Sequence, residues 1–198
     1  AGGEQELQKV IITGSSTGQV GVADSASVGT VTQKQLEART VYRPGELLEA
    51  APGLIVSQHS GEGKANQFYL RGFNLDHGTD LRTTVDGMLV NQRSHGHGQG
   101  WTDLNFVIPE LATGLRYKKG PYDASEGDFS AAGAVEITYA DELSAGIANA
   151  GLGQNGYRRV LLADSPSLGS GKLLYALETL HNDGPFDRPD DYRKINGV

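Results

Sequence analysis

The stretch "LRTTVDGMLVN", Leu81–Asn91, decides how this chain is read. Two β-prone arms flank Asp86-Gly87, and that pair is the preferred filling of a two-residue type I′ hairpin turn. Asp before Gly suits the turn itself, so Asp86 is assigned a turn role rather than a chemical one. A tight hairpin at this point implies antiparallel pairing on both sides of it.

Working upstream, "QFYLRGF" and "GLIVSQ" read as strands. In the first, Phe68 and Leu70 share one face while Tyr69 and Arg71 share the other. "PGELLEAA" reads as a helix with Pro44 in its first turn, stopped by Pro52-Gly53. Thr32 with Gln35 three residues on forms a capping box, which predicts a helix start at Thr32. "SSTGQVGVADSAS" is loop-like, and "KVIITG" (Lys9–Gly14) is a short β-prone run. Working downstream, "NFVIPELA" is broken by Pro109, "GLRYKKGP" is a strand ending at a Gly-Pro break, and "GAVEITYA" is another strand.

From about Ala140 the character changes. "AGIANAGLG", "YRRVLLAD" and "GKLLYALETLH" are strand-length pieces between polar turns, and the chain closes on strand-like "YRKINGV". In the third piece Leu173, Tyr175 and Leu177 share one face, Ala176 and Glu178 the other. Such alternation fits an outer-membrane β-barrel strand and also an ordinary antiparallel sheet.

Composition narrows the function classes. Among 198 residues the net charge is −7 and the pI about 5.2, against nucleic acid as a partner, since phosphate binding needs a basic surface. With no cysteine, thiol catalysis and Cys-ligated zinc are excluded. The apolar runs are too short for a membrane helix. The polar start "AGGEQELQ" has the look of a mature chain after signal removal. No H-E-x-x-H helix or Walker loop occurs.

The loop "NQRSHGHGQGWTDLN" (Asn91–Asn105) carries two histidines and the chain's one tryptophan. In an extended segment His95 and His97 face the same side. Imidazole suits zinc, copper, nickel and iron, with His77, Asp76 and Asp103 as further ligands and His59 more remote. The other reading makes both histidines polar loop residues that hydrogen-bond cargo or a neighbouring wall. Arg116, Lys118 and Lys119 could draw an anion or simply form a positive strand end.

Taken in order, "KVIITGSS", a helix leading to "ELLEAAPGLIVSQ", "FYLRGF", "TTVDGMLVN" and "GLRYKKGPYDASEGDFSAAGAVEIT" resemble the plug domain of a TonB-dependent outer-membrane receptor. The resemblance implies an α+β fold: a plug with a small mixed β-sheet and short helices, then antiparallel strands of an incomplete transmembrane β-barrel. It divides the chain into a tail at 1–14, a plug at 15–140 and leading barrel strands at 141–198. Residues Gln8, Lys9, Val10, Ile11, Ile12, Thr13 and Gly14 match the TonB box, which pairs as an added strand with a TonB-type periplasmic energy transducer; the same run also suits a first strand of the plug sheet.

By the same resemblance, segments Asn74–Asp80 and Gln92–Asp103 form the apex that meets cargo. The implied ligand-binding residues are Arg71, Asn74, His77, His95, His97, Gln99 and Trp101, with Trp101 exposed as a binding surface, and with a structural ion pair as the other role for Arg71. The implied activity is energy-coupled uptake of a scarce nutrient, a ferric siderophore or other metal chelate, without catalytic residues or a resident cofactor. The barrel would meet outer-membrane lipid. "TGLRYKKGP" and "AGAVEI" depart from the family pattern, which puts its usual plug-to-barrel ion pairs in doubt and leaves the fold standing. Two further readings stand beside this one: a soluble periplasmic metal-binding or hydrolytic protein built on His95 and His97, and a signalling module, for which the residues before Gln8 leave no room.

Overall fold

The computed structural model describes residues 22–198 apart from residue 59. The TonB-box match Gln8–Gly14 and the side chain of His59 therefore lie outside the described residues. Strand is the dominant regular structure among the described residues, with one short α-helix and three 3-10 turns.

The central element is a six-stranded mixed sheet. Its strands are β1 (Val22–Ser25), β2 (Val28–Thr32), β6 (Leu81–Val85), β7 (Met88–Leu89), β8 (Ala112–Lys119) and β9 (Gly133–Tyr139), in the order β1-β2-β8-β9-β6-β7. Only β6 and β9 pair in parallel. The sequence stretch read as loop contains β1, and β2 runs directly into α1 (Gln33–Glu37), where Gln35 Oε1 accepts the Thr32 backbone N–H at 2.9 Å. The helix expected at Pro44 is a 3-10 helix, Pro44–Ala50.

A second sheet of three strands, β3 (Leu54–Ser57), β4 (Gln67–Leu70) and β5 (Phe73–Asn74), packs alongside. Phe68 and Leu70 point into a core shared with Leu47, Leu48, Leu81, Leu115 and Ile137, as the alternation predicts.

Two of the hairpins turn on residues with positive φ. Asp86 (φ 47°) and Gly87 (φ 77°) join β6 to β7 as expected. Arg71 (φ 51°) and Gly72 (φ 85°) do the same between β4 and β5. Arg71 is thus a turn residue and not the last residue of a strand face, a correction to the alternation reading. Asp86 is structural: its Oδ1 accepts the Tyr139 N–H at 2.9 Å and its own N–H donates to Ile137 O.

The C-terminal part forms an antiparallel sheet in the order β10 (Ile147–Leu152), β11 (Arg158–Asp164), β14 (Tyr175–Asn182), β15 (Tyr192–Gly197). A small hairpin, β12 (Ser167–Leu168) with β13 (Gly171–Lys172), lies between β11 and β14. One face carries Val160, Leu162, Leu173, Tyr175, Leu177 and Ile195 out to the surface. The other turns Leu161, Ala163 and Ala176 in against Ile108 and Leu111 and buries Glu178. Apolar outside and mixed inside is the inverse of a soluble sheet and is what a barrel wall in lipid requires. Among the described residues no helix is long and apolar enough to cross a membrane, and strands do not need one.

Candidate functional site

The loop after β7 is closed at its base before it does anything else. Gln92 N–H donates to Trp101 O at 3.0 Å, and Gly100 N–H donates to Gln92 O at 2.8 Å. Buried Asn91 pins this base to the sheet. Its Oδ1 accepts the Thr83 N–H at 2.7 Å, and its Nδ2 lies 2.8, 2.9 and 3.2 Å from the carbonyls of Gly78, Leu81 and Gly100.

A second loop, residues 75–80, is laid across the first. Thr102 N–H donates to His77 O at 2.8 Å, and Thr79 Oγ1 donates to Gln99 O at 3.1 Å. The crossing requires two glycines. At Gly78 (φ 115°) a Cβ would stand 2.2 Å from Thr102 Oγ1, and at Gly100 (φ 75°) it would stand 2.8 Å from the Thr79 Cα. Only residues without side chains permit that approach.

Four rings meet at this crossing. His95 lies flat on the Trp101 indole, with centroids 4.3 Å apart and planes at 8°. His77 and His97 pack on the same indole at 4.6 and 4.9 Å, and on each other at 4.8 Å. Trp101 is only 8% exposed, which corrects the expectation of an open aromatic surface. The physical reason is that offset stacking with imidazoles shields the indole more cheaply than water can. His95 is the half-buried cover, His97 is exposed, and His77 is buried at 3%. His77 Nδ1 lies 3.0 and 3.1 Å from the Ala65 and Asn66 carbonyls, and its Nε2 lies 3.6 Å from Asp76 Oδ1. His95 Nδ1 accepts the His97 N–H at 3.1 Å, which leaves Nε2 as its protonated nitrogen in the neutral ring.

The expected ligand-binding set is only partly brought together. His77, His95, His97 and Trp101 share one site, and the Gln99 backbone braces it. Asn74 shapes the second loop: its Oδ1 accepts from Gln67 Nε2 at 3.0 Å and from Asp76 N–H at 2.8 Å. Arg71 lies at the far end of β4 from the Ala65–Asn66 carbonyls that hold His77, and donates to Ser27 Oγ at 3.0 Å. Asp103 is engaged by Asn105, whose N–H and Nδ2 both donate to it at 2.8 Å. Among the described residues the one His/Asp/Glu trio with converging ligand atoms lies elsewhere, at His181, Asp183 and Asp191.

The basic run has partners of its own. Arg116 pairs with Glu136, Lys118 reaches Asp123 and Glu126 at 2.5 and 2.6 Å, and Lys119 donates to Pro52 O at 3.1 Å. Hydrogen bonds to Asp123 and Glu126 raise the Lys118 pKa, while burial lowers that of Lys119.

Sequence reasoning missed an ionic seam between the two parts of the chain. Arg159 on β11 grips Glu110 with two bonds of 2.5 and 2.8 Å and Glu178 with a third of 2.6 Å. Glu178, 1% exposed, also accepts from Lys194 at 3.1 Å and from Asn196 at 2.8 Å. Asn196 in turn donates to Asn105 O at 2.8 Å. Burial alone would raise the Glu110 pKa; the Arg159 hydrogen bonds and charge outweigh it and hold the carboxyl below its usual value. Nearby, burial pushes the Tyr139 phenol up to about 12, although its oxygen accepts the Ile108 N–H at 2.7 Å. The inward position of Glu178 was the available signal, since a carboxylate on an otherwise small and apolar face needs a partner.

A plug-like mixed sheet, two crossed loops, and an apolar-out wall joined by an ionic seam define the class. The family model "TonB-dependent Receptor Plug Domain" matches residues 6–134, and the chain belongs to that family. It is a family of outer-membrane transport receptors in which the plug occupies the barrel lumen.

Among particular relatives, the vitamin B12 transporter BtuB of Vibrio vulnificus (strain CMCP6) is 24% identical over 97% of this chain and 31% of its own length. The chain thus spans about a third of that curated relative. Solved structures share the fold. The copper transporter OprC aligns with a TM-score of 0.64 at 18% identity, over 90% of this chain and 28% of that one. The ferric enterobactin receptor PfeA from Pseudomonas aeruginosa gives 0.61 at 18%, over 82% and 26%. The ferric yersiniabactin uptake receptor FyuA from Yersinia pestis gives 0.59 at 21%, over 85% and 27%.

Proposed function

We propose that residues 15–140 form the plug and 141–198 the leading wall strands of a receptor that captures a scarce small molecule at the His77/His95/His97/Trp101 crossing. Energy-coupled transport then admits the cargo to the periplasm. The observation that carries this reading is the ring cluster itself. A loop closed at its base by the Gln92–Trp101 and Gly100–Gln92 backbone bonds presents a half-exposed imidazole lying as a cover on an otherwise buried indole. A cargo with a flat or metal-bearing face can displace or join that cover without disturbing the base held by Asn91.

The names of the relatives support a metal chelate, with a ferric siderophore as the form of cargo proposed, and the site needs no covalent chemistry. A metal ion bound directly by His95 and His97 is the narrower version of the same reading. The energy source is a TonB-type partner that pairs with Gln8–Gly14 by adding a strand. The apolar-out wall and the family membership weigh against the soluble hydrolase reading.

The test is uptake by the full-length receptor carrying His95→Ala and His97→Ala. Weakened uptake with the protein still folded in the outer membrane supports the site. Wild-type uptake kinetics in that double variant reject it.

A further inference from the structure

The geometry points to a divalent transition-metal site at the base of the β14–β15 connection, formed by His181 Nε2, Asp183 and Asp191 and separate from the ring cluster. Nε2 lies 3.1 Å from Asp191 Oδ1 and 3.5 Å from Asp183 Oδ1, and ligand atoms from all three residues fall within 4.8 Å of one another. His181 is the penultimate residue of β14, Asp183 directly follows that strand, and Asp191 directly precedes β15. The three ligands therefore stand on the two ends of a paired ladder, where His181 faces Arg193 in register.

A third segment fixes the imidazole. Gly156, in the β10–β11 turn, offers its carbonyl to His181 Nδ1 at 3.1 Å. A carbonyl oxygen can only accept, so Nδ1 carries the proton and the Nε2 lone pair is aimed at two carboxylates. Lone pair against carboxylate is repulsive unless a cation sits between them. Tethering one ring nitrogen to a backbone carbonyl while the other ligates is how metal-binding histidines are commonly oriented. The same glycine makes room for the acid: at Gly156 (φ 68°) a Cβ would lie 2.4 Å from Asp183 Oδ2. Asp183 N–H also donates to Asn155 O at 2.8 Å, so the turn and the trio form one cradle.

One nitrogen and two carboxylate oxygens suit zinc and its first-row neighbours, with water completing the shell; calcium and magnesium prefer oxygen alone. Arg193 donates to Asp191 Oδ1 from Nε and Nη2 and to Oδ2 from Nη2, all at 3.1 Å, which offsets the carboxylate's charge and leaves Oδ2 a lone pair for a metal. Bound metal would tie the 183–191 connection to the β10–β11 turn.

The experiment is metal analysis of the full-length receptor in detergent after dialysis against micromolar ZnCl2, with CaCl2 in parallel. Bound zinc is expected to fall by one equivalent per chain in H181A and in D183N/D191N, to stay at the wild-type level in H95A/H97A, and not to be replaced by calcium. Cobalt(II) in place of zinc should give a visible absorption band that H181A loses while its thermal unfolding without metal matches wild type. Equal zinc in wild type and H181A overturns the site. A loss confined to H95A/H97A also overturns it and moves the metal to the apex.

Discussion

Replacing Asn91 tests whether the apex depends on a buried amide rather than on the rings it supports. In Asn91→Ala the Thr83 N–H, on a fully buried residue, loses its 2.7 Å acceptor. An orphaned buried donor costs about 1–3 kcal/mol. The carbonyls of Gly78, Leu81 and Gly100 lose the Nδ2 donor but keep other partners, namely Leu81 N–H, Thr83 Oγ1 and Thr102 Oγ1. Their loss adds about 0.5–1.5 kcal/mol for each of the two amide hydrogens. The sum is roughly 2–6 kcal/mol, centred near 3–4, which is a few hundredfold in a local opening equilibrium. Asn91→Asp is the sharper variant: it keeps the acceptor for Thr83 but turns an oxygen toward three carbonyls, so its loss should be at least as large. Hydrogen exchange read on peptides covering residues 92–101 measures the opening directly. Wild-type protection in Asn91→Asp would refute the view that this side chain holds the loop base.

Other outcomes follow from the seam and the tail. Glu178→Ala leaves Arg159 and Lys194 facing an emptied site and should destabilise the receptor by about 3–5 kcal/mol in thermal or chemical unfolding, whereas Arg159→Met with Glu178→Leu should cost less. Glu110 has a folded pKa below its ordinary 4.5, so its contribution is fully present above that value and fades as pH falls through the depressed one. Acid unfolding of Glu110→Gln should therefore be less steep below about pH 4.5, and a superimposable pH profile would remove Glu110 from the seam's energetics. Ile11→Pro takes away a strand N–H donor; it should abolish uptake and retention on the purified energy transducer while cargo still binds, and unaltered retention would count against the Gln8–Gly14 assignment.

What was readable in the sequence was local. Asp86-Gly87 dictates its turn with two residues, and the structure has that hairpin at that place. Thr32 and Gln35 likewise set the start of α1. Arg71-Gly72 makes the same kind of turn but was read as a strand end, because Arg is not a residue that favours positive φ. Trp101 was expected in the open because nothing in "HGHGQGW" says that His95 folds back onto the indole or that His77, 24 positions upstream, comes to its side. Glu110, Arg159 and Glu178 are joined across separations of 49 and 19 residues. His181 and Asp191 meet only because β14 and β15 pair in one register. Each of these depends on contacts that periodicity does not encode, and the residues matching the TonB box lie outside the described part of the chain.

The order of strands in the six-stranded sheet has a mechanical consequence. Among the described residues β1 lies at the edge and pairs with β2 alone, and the chain enters it at the open end of the β1–β2 hairpin, opposite the turn at residues 26–27. Tension from that side loads the Val22–Thr30 pair first, then Ala23–Gly29, then Ser25–Val28, so the ladder yields rung by rung instead of resisting as a whole. The parallel junction of β6 with β9 is two strands further in than β2 and feels none of this strain until β2 and β8 have parted. A modest steady tug would thus peel one margin of the sheet while its interior stays intact.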